Sequence, residues 1–347
     1  MSQSPSGNSG FILSHRFVIE DPSQIGEGRR QITRLSQDLT FDEVQVGRIA
    51  IAFNEIANNL LQHAGKGEIF IREICLSSEM GLYGLEMISI DRGPGMNNIK
   101  ECLEDGFSTR ETPGQGLGAI RRLSQEFDIH STVGKGTIVT VTFYTDFEAA
   151  SQSVGRLQSS AICVPVSGET ECGDGWAHLR PITGDAIVVS DGLGHGPLAS
   201  TASREALLVF REQKWRNLED FIKLAHGRMR STRGAAISAV TFDTIGQRVH
   251  FAGVGNVTGA IYRHGKLKSF VGYPGTVGLK ITTVREMSET WEKGDLLILH
   301  SDGLSSRWDL GDYPGLQHRS ASVVAGVLYR DYCRGIDDSC VWVGRCL

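Results

Sequence analysis

The sequence predicts two α/β domains in series, each with a core of its own. Three observations predict this. A length of 347 residues suits two domains of ordinary size. Two glycine-rich clusters, Asp91–Gly118 and Gly173–Gly196, lie far apart, and each follows apolar, strand-like segments. Between them Tyr144–Gln158, YTDFEAASQSVGRLQ, is polar and rich in short residues, which places the boundary near residue 150. The expected domains are residues 10–147 and 156–347.

In the first half, Phe11–Glu20 alternates apolar and polar residues like a strand. Pro22–Leu39 carries helix formers. Asp42–Ala64 is a long helical pattern with Thr40 or Asp42 as N-cap, closed by Gly65–Gly67. Glu68–Leu76 and Leu82–Asp91 read as strands, Asn97–Glu104 as a short helix and Gly116–Phe127 as another. Asp128–Val133 and Thr137–Tyr144 form a closing hairpin around Gly134-Lys135-Gly136. Helices interleaved with antiparallel strands predict an α/β sandwich.

The second half is richer in strands: Ser159–Val166, Trp176–Pro181, Asp185–Ser190, Ala236–Asp243, Arg248–Val254, Thr258–Arg263, Lys266–Val271, Leu296–His300 and Ser339–Val343. Helices are expected at Pro197–Gln213, Leu218–Met229 and Ala321–Tyr332. This pattern predicts a two-layer β core flanked by helices.

Composition narrows the function. With 40% hydrophobic and 22% charged residues the chain reads as soluble and globular. A net charge of −5 argues against a nucleic-acid partner, and Arg228–Arg233 reads as a solvated loop. No apolar run is long enough to span a bilayer, and the opening MSQSPSGNSGF has neither the basic nor the apolar part of a signal peptide. The seven cysteines are scattered without a C-x-x-C pair, which argues against a disulfide framework or zinc site and suits a cytoplasmic setting.

Glu55 and Asn59 are four residues apart on one helix and so share a face. An amide oxygen is a hard ligand suited to hydrated Mg²⁺, and a neighbouring carboxylate can take a proton from an attacking hydroxyl. Ile88-Ser89-Ile90 runs into Asp91-Arg92-Gly93-Pro94-Gly95, where a carboxylate at a strand end can read an adenine amino group. Gly114-Gln115-Gly116-Leu117-Gly118 then opens a helix, and glycines there let backbone N–H groups wrap phosphates. These motifs resemble the GHKL ATPases: FNEIANNLLQHA is similar to their N-box, IDRGPGM to the first glycine box and GQGLGAIRRL to the second. Within that family EDGFSTR and GQGLGAIRRLSQEFDIHSTVGKGT resemble the RsbT-like anti-sigma-factor serine kinases over residues 10–145. The resemblance implies a Bergerat-type α/β sandwich that binds ATP and Mg²⁺. It implies Glu55 as general base, Asn59 as Mg²⁺ ligand and Asp91 as adenine ligand supported by Gly93 and Gly95. Gly114, Gly116 and Gly118 would line the phosphates, with Gly106–Pro113 as a lid.

In the second half Asp174, Asp191, Asp302 and the pair Asp337-Asp338 stand beside strand-like runs. Repeated units of this kind suggest carboxylates converging at one edge of a β core. An all-oxygen cluster selects Mn²⁺ or Mg²⁺. These motifs resemble the RsbX/SpoIIE-like branch of the metal-dependent (PPM) protein phosphatases over residues 158–347. The resemblance implies an α-β-β-α sandwich holding two Mn²⁺ or Mg²⁺ ions through Asp174, Asp191, the Gly192 carbonyl, Asp302 and Asp337. Asp337 is favoured over Asp338 because the family's closing motif places its ligand first. Where many relatives have Gly-Gly-Asp, an aromatic and a further Asp, this chain has Cys172-Gly173-Asp174-Gly175-Trp176-Ala177.

Together the resemblances imply a bifunctional partner-switching regulator. It would phosphorylate and dephosphorylate Ser/Thr on a STAS-domain antagonist or stressosome-like protein, upstream of an alternative sigma factor or similar output. A regulator phosphatase or a sigma factor is a further candidate partner. Two other readings stay open: a phosphatase with a nucleotide-sensing domain, and a binding protein that sequesters a regulator.

Overall fold

Asp42 decides where the helix that carries Glu55 and Asn59 begins. Its Oδ1 accepts the Gln45 N–H at 2.7 Å, while Gln45 Oε1 accepts the Asp42 N–H at 3.1 Å. This reciprocal capping satisfies two amides that the helix leaves open. Thr40, the alternative cap, lies before it in the left-handed region with φ 62°. Asp21 and Gln24 repeat the same device one helix earlier.

The structure is a computed structural model that describes residues 14–77, 79–103, 116–153, 157–180, 184–243 and 245–347. The chain divides into two units, His15–Gly155 and Arg156–Leu347. None of the described helices is long and apolar enough to cross a membrane.

The first unit runs β1 (His15–Ile19), α1 (Pro22–Asp38), α2 (Glu43–Asn59), β2 (Gly67–Ser77), β3 (Leu82–Asp91), α3 (Ile99–Cys102), α4 (Gly116–Leu123), β4 (Glu126–Thr132), β5 (Gly136–Tyr144) and α5 (Phe147–Ser153). Between α2 and β2 the helix widens into a π turn, Leu60–Ala64, and ends at Gly65. The strands form one antiparallel sheet in the order β1-β2-β3-β5-β4. Ile32, Ile49, Phe53 and Ile56 of the helices pack against Ile69, Ile71, Leu85, Met87, Val141 and Phe143 of the sheet, giving the expected sandwich. Two differences from the expected elements matter here. The helix expected to reach Phe127 stops at Leu123, where Ser124 Oγ bonds back to the Ile120 carbonyl, and Phe127 pairs with Val141 as strand. The polar boundary segment contains α5, capped by Asp146 Oδ1 on the Ala149 N–H.

The second unit runs β6 (Leu157–Val164), β7 (Asp174–Leu179), β8 (Ala186–Gly192), α6 (Pro197–Arg211), α7 (Leu218–Arg228), β9 (Ala235–Asp243), β10 (Arg248–Val254), β11 (Thr258–Arg263), β12 (Lys266–Phe270), β13 (Gly275–Thr276), β14 (Lys280–Ile281), β15 (Met287–Thr290), β16 (Leu296–His300), α8 (Ala321–Tyr332) and β17 (Ser339–Cys346). Two antiparallel sheets, β15-β10-β9-β8-β7 and β12-β11-β16-β17-β6, face each other. Trp176, Val189, Val240 and Phe251 from one meet Cys163, Ile261, Leu299 and Trp342 from the other. Helices α6 and α7 cover the outer face of the first sheet through Ala202, Leu207, Phe210, Phe221 and Ile222, and α8 packs on β6 and β17. The layers are α-β-β-α, as expected.

Candidate active sites

In the first unit, α2 carries Glu55 and Asn59 one turn apart, both half-buried. The start of α4 runs against them: a Cβ on Gly116 would lie 3.0 Å from Asn59 Oδ1 and 3.3 Å from Nδ2. Absence of a side chain at Gly116 therefore keeps the space in front of the Asn59 amide open. Gly118 is buried in the same first turn of α4. Asp91 ends β3, and its Oδ1 accepts N–H groups from Gly93 at 2.8 Å and Thr137 at 3.1 Å, which fix the carboxylate's orientation. Gly93 passes over Ala64 at the end of the π turn. Gly95 has φ +71°, and a Cβ there would lie 2.3 Å from the Thr132 carbonyl oxygen. Only glycine meets both conditions without strain. The helix N-terminus, the oriented carboxylate and the open space at Asn59 fit a nucleotide with a cation on its phosphates. Gly114 and the Gly106–Pro113 lid lie outside the described residues.

In the second unit the pairing of β7 with β8 sets Asp174 directly opposite Asp191. Asp174 is 4% exposed, and its Oδ2 is buried without a hydrogen-bond partner. Asp302 follows β16; Asp337 and Asp338 precede β17, its neighbour in the sheet. Gly303 makes this crossing possible, since a Cβ there would lie 1.9 Å from the Asp338 carbonyl oxygen. Gly192 ends β8, its N–H bonded to the Gly173 carbonyl at 3.0 Å. The carboxylates act on one another. Burial, then Asp191, hold the Asp174 carboxyl well above the usual range. Burial, then Asp302 and Asp337, push Asp191 up to about 7. Burial and Asp337 raise Asp302. The cause in each case is burial together with the crowding of like charges, which a cation between them would relieve.

Among the described residues no three His, Cys, Asp or Glu side chains close on one point as a finished metal cage. The aspartates converge as mutually repelling charges. Hard oxygen donors, one of them buried and unpartnered, fit a divalent ion that keeps water in its shell.

Asp338 differs from its neighbour. Its Oδ1 accepts the Val166 N–H at 2.8 Å and its Oδ2 the Gly173 N–H at 2.7 Å. Both oxygens thus brace the backbone beside Asp174. Asp338→Ala is expected to strand two amides and cost about 2–4 kcal/mol in urea unfolding. Asp337→Asn removes no such brace and should leave the unfolding free energy within about 0.5 kcal/mol of the parent.

Several residues here escaped the sequence reading. Asn256 donates Nδ2–H to Asp302 Oδ2 at 2.7 Å, Arg334 donates Nη1–H to the Asp302 carbonyl at 3.0 Å, and Glu169 bonds His195 Nδ1 at 2.8 Å. Each is a lone polar residue in a loop, and only the folded register brings Asn256 and Arg334 to Asp302 and Glu169 to His195.

Comparison with known proteins agrees with this geometry. Residues 18–143 match the histidine kinase-like ATPase domain family, and residues 183–326 match the stage II sporulation protein E (SpoIIE) family. The chain is similar to the serine/threonine-protein kinase RsbT of Bacillus subtilis (strain 168), with 40% identity over 109 residues, 31% of this chain and 80% of that protein. It is also similar to the phosphoserine phosphatase RsbX of the same organism, with 27% identity over 140 residues, 40% of this chain and 70% of that protein. A solved chain described under "The bacterial stressosome: a modular system that has been adapted to control secondary messenger signaling" superposes with a TM-score of 0.51 at 26% identity, covering 55% of this chain and 100% of that one. The chain therefore belongs to the RsbT-like branch of the histidine kinase-like ATPase family through its first unit, joined to a SpoIIE/PPM phosphatase domain as its second.

Proposed function

We propose that this chain sets the phosphorylation level of a regulatory protein in both directions. The first unit transfers phosphate from ATP to Ser or Thr of a STAS-domain antagonist or stressosome-like protein, and the second removes it. One observation carries this reading: each unit brings its own motif residues together, Asn59 against Gly116 and Asp174 opposite Asp191.

In the first unit Glu55 takes the proton of the attacking hydroxyl. Asn59 would hold Mg²⁺ by its amide oxygen. Asp91, oriented by the Gly93 and Thr137 amides, accepts the adenine amino group. Gly93 and Gly95 shape the base pocket, and Gly114, Gly116 and Gly118 offer amides to the phosphates. Transfer by these groups is mainly positioning and charge compensation.

In the second unit Asp174, Asp191, the Gly192 carbonyl, Asp302 and Asp337 would hold Mn²⁺ or Mg²⁺. Such ions, when bound, lower the pKa of a coordinated water and neutralise phosphoryl charge. The chain's part is to hold these donors in register: the β7–β8 pairing fixes Asp174 and Asp191, Asn256 orients Asp302, and Asp338 braces Gly173. In the reaction a P–O bond to water forms, the P–O bond to the seryl oxygen breaks, and that oxygen takes up a proton.

The test is a pair of assays on one preparation. One follows transfer from labelled ATP to candidate STAS-domain proteins, and the other follows Mn²⁺-dependent release from the product. Both activities are expected. Absence of transfer and release on every such protein would sink the proposal, and release alone would reduce the first unit to a nucleotide-sensing domain.

A further inference from the structure

Large apolar side chains left in water beside a catalytic cluster call for a partner, because such patches mark protein contacts. Four stand around the aspartates of the second unit: Leu193, Leu198, Leu279 and Ile336, exposed by 54%, 57%, 54% and 68%. Leu193 follows Gly192, and its N–H bonds the Gly234 carbonyl at 3.0 Å. Leu279 lies on the same glycine, its Cγ 3.1 Å from where a Gly234 Cβ would stand. Leu198 opens α6 beside Ala199, whose carbonyl backs Gly192. Ile336 directly precedes Asp337.

Two cations share this rim. Arg233 precedes Gly234, and its Nη1 lies 3.3 Å from where a Gly194 Cβ would stand. Arg334 is held to the Asp302 carbonyl. Both side chains are exposed. A phosphate dianion approaching a cluster of carboxylates needs cations at its edge, and guanidinium groups match its geometry. A small phosphate ester would use the arginines and leave the four apolar side chains wet. A phosphoserine on an apolar stretch of protein would use both.

Resting on the phosphatase reading above, we propose that this rim is a docking surface for a protein segment in which phosphoserine is flanked by bulky apolar residues. Leu193, Leu198, Leu279 and Ile336 receive the flanking side chains, and Arg233 and Arg334 receive the phosphate. The occupant is a phosphoprotein rather than a free metabolite because exposed apolar side chains adjoin both the Asp191-Gly192 end and the Asp337 end of the acidic cluster.

The test uses the full chain with Mn²⁺ and three substrates. Two are phosphoseryl peptides identical except for Leu/Ile or Ser/Asn at the two positions on either side of phosphoserine. The third is p-nitrophenyl phosphate. The apolar-flanked peptide is expected to exceed its polar twin in kcat/KM by about tenfold or more, the size that burying one or two such side chains gives. The double variant Leu198→Ser/Leu279→Ser should bring that ratio to within about twofold of unity, while p-nitrophenyl phosphate reports whether it is folded and competent. Equal rates on both peptides in the parent, or a ratio that survives the double substitution, would overturn the docking surface while ester hydrolysis still upheld the phosphatase. Failure to hydrolyse any of the three would overturn the phosphatase reading and this proposal with it.

Discussion

Asp191→Asn is expected to lower Mn²⁺-dependent phosphate release by about 10³-fold, or about 4 kcal/mol of barrier. Asp191 pairs with Asp174 and feels both Asp302 and Asp337, so it sits at the centre of the cluster. The same substitution should raise stability when metal is removed. Burial and its acidic neighbours lift the Asp191 carboxyl to about 7, above the value near 4 of an unfolded chain. The folded protein therefore binds that proton more tightly than the unfolded one. The resulting stabilisation is complete below about pH 4 and is lost as pH rises through about 7. At pH 8 in chelator the parent carries a repelled, ionised carboxylate, and an amide removes that charge. The variant should melt a few degrees higher than the parent at pH 8 in chelator, and the gap should narrow at pH 5 and close near pH 4. Added Mn²⁺ should raise the melting temperature of the parent far more than that of the variant. Calorimetry at these pH values checks this. A variant that keeps its phosphate release, or that melts below the parent in chelator at pH 8, would remove Asp191 from the metal site. The predicted exchange of activity for stability is what a site of convergent charge implies.

Much of this was legible because backbone and chemistry ask for the same residues. Asp42 with Gln45 is a cap readable from spacing alone, and the helix it starts carries Glu55 and Asn59 on one face. Apolar strands running into Asp-Gly marked both the strand ends and the candidate carboxylates, since Asp191 and Asp302 stand where β8 and β16 leave the core. Legibility failed where an element draws its stability from neighbours. Strand β15 is four residues long without clear alternation and exists because Met287–Thr290 pairs with Phe251–Arg248. Helix α5 lies in a segment whose polar composition read as linker, yet Ala150 is fully buried beside Leu82 and Tyr144. The same holds in the sites. Asp337 and Asp338 are adjacent and chemically identical, and only the amides of Val166 and Gly173, more than 160 residues away in sequence, make one of them a brace. Asn256 and Arg334 reach Asp302 through the β11–β16–β17 register, which no local pattern encodes.

Glu55→Gln and Asn59→Ala should separate the roles that the first unit can play. If it transfers phosphate, Asn59→Ala loses the cation's amide ligand and ATP binding weakens together with transfer. Glu55→Gln keeps the side chain's size and hydrogen-bonding capacity but cannot take a proton, so nucleotide binding persists while transfer falls about 10²–10⁴-fold, the range general-base catalysis commands. The pair therefore predicts a split: both variants lose transfer, and only Asn59→Ala loses nucleotide. Nucleotide binding followed by a fluorescent ATP analogue, beside transfer from labelled ATP, reads the two effects separately. A nucleotide sensor would behave otherwise, with Glu55→Gln silent in every assay and Asn59→Ala changing phosphate release by the second unit. A sequestering protein would form an ATP-dependent complex that survives Glu55→Gln and fails in Asn59→Ala. The first pattern is expected because Glu55 stands one helical turn from Asn59, whose amide faces Gly116. Binding alone asks nothing of a carboxylate there, and a negative charge beside a triphosphate would weaken it. Glu55 therefore makes physical sense in that place if a proton has to be moved.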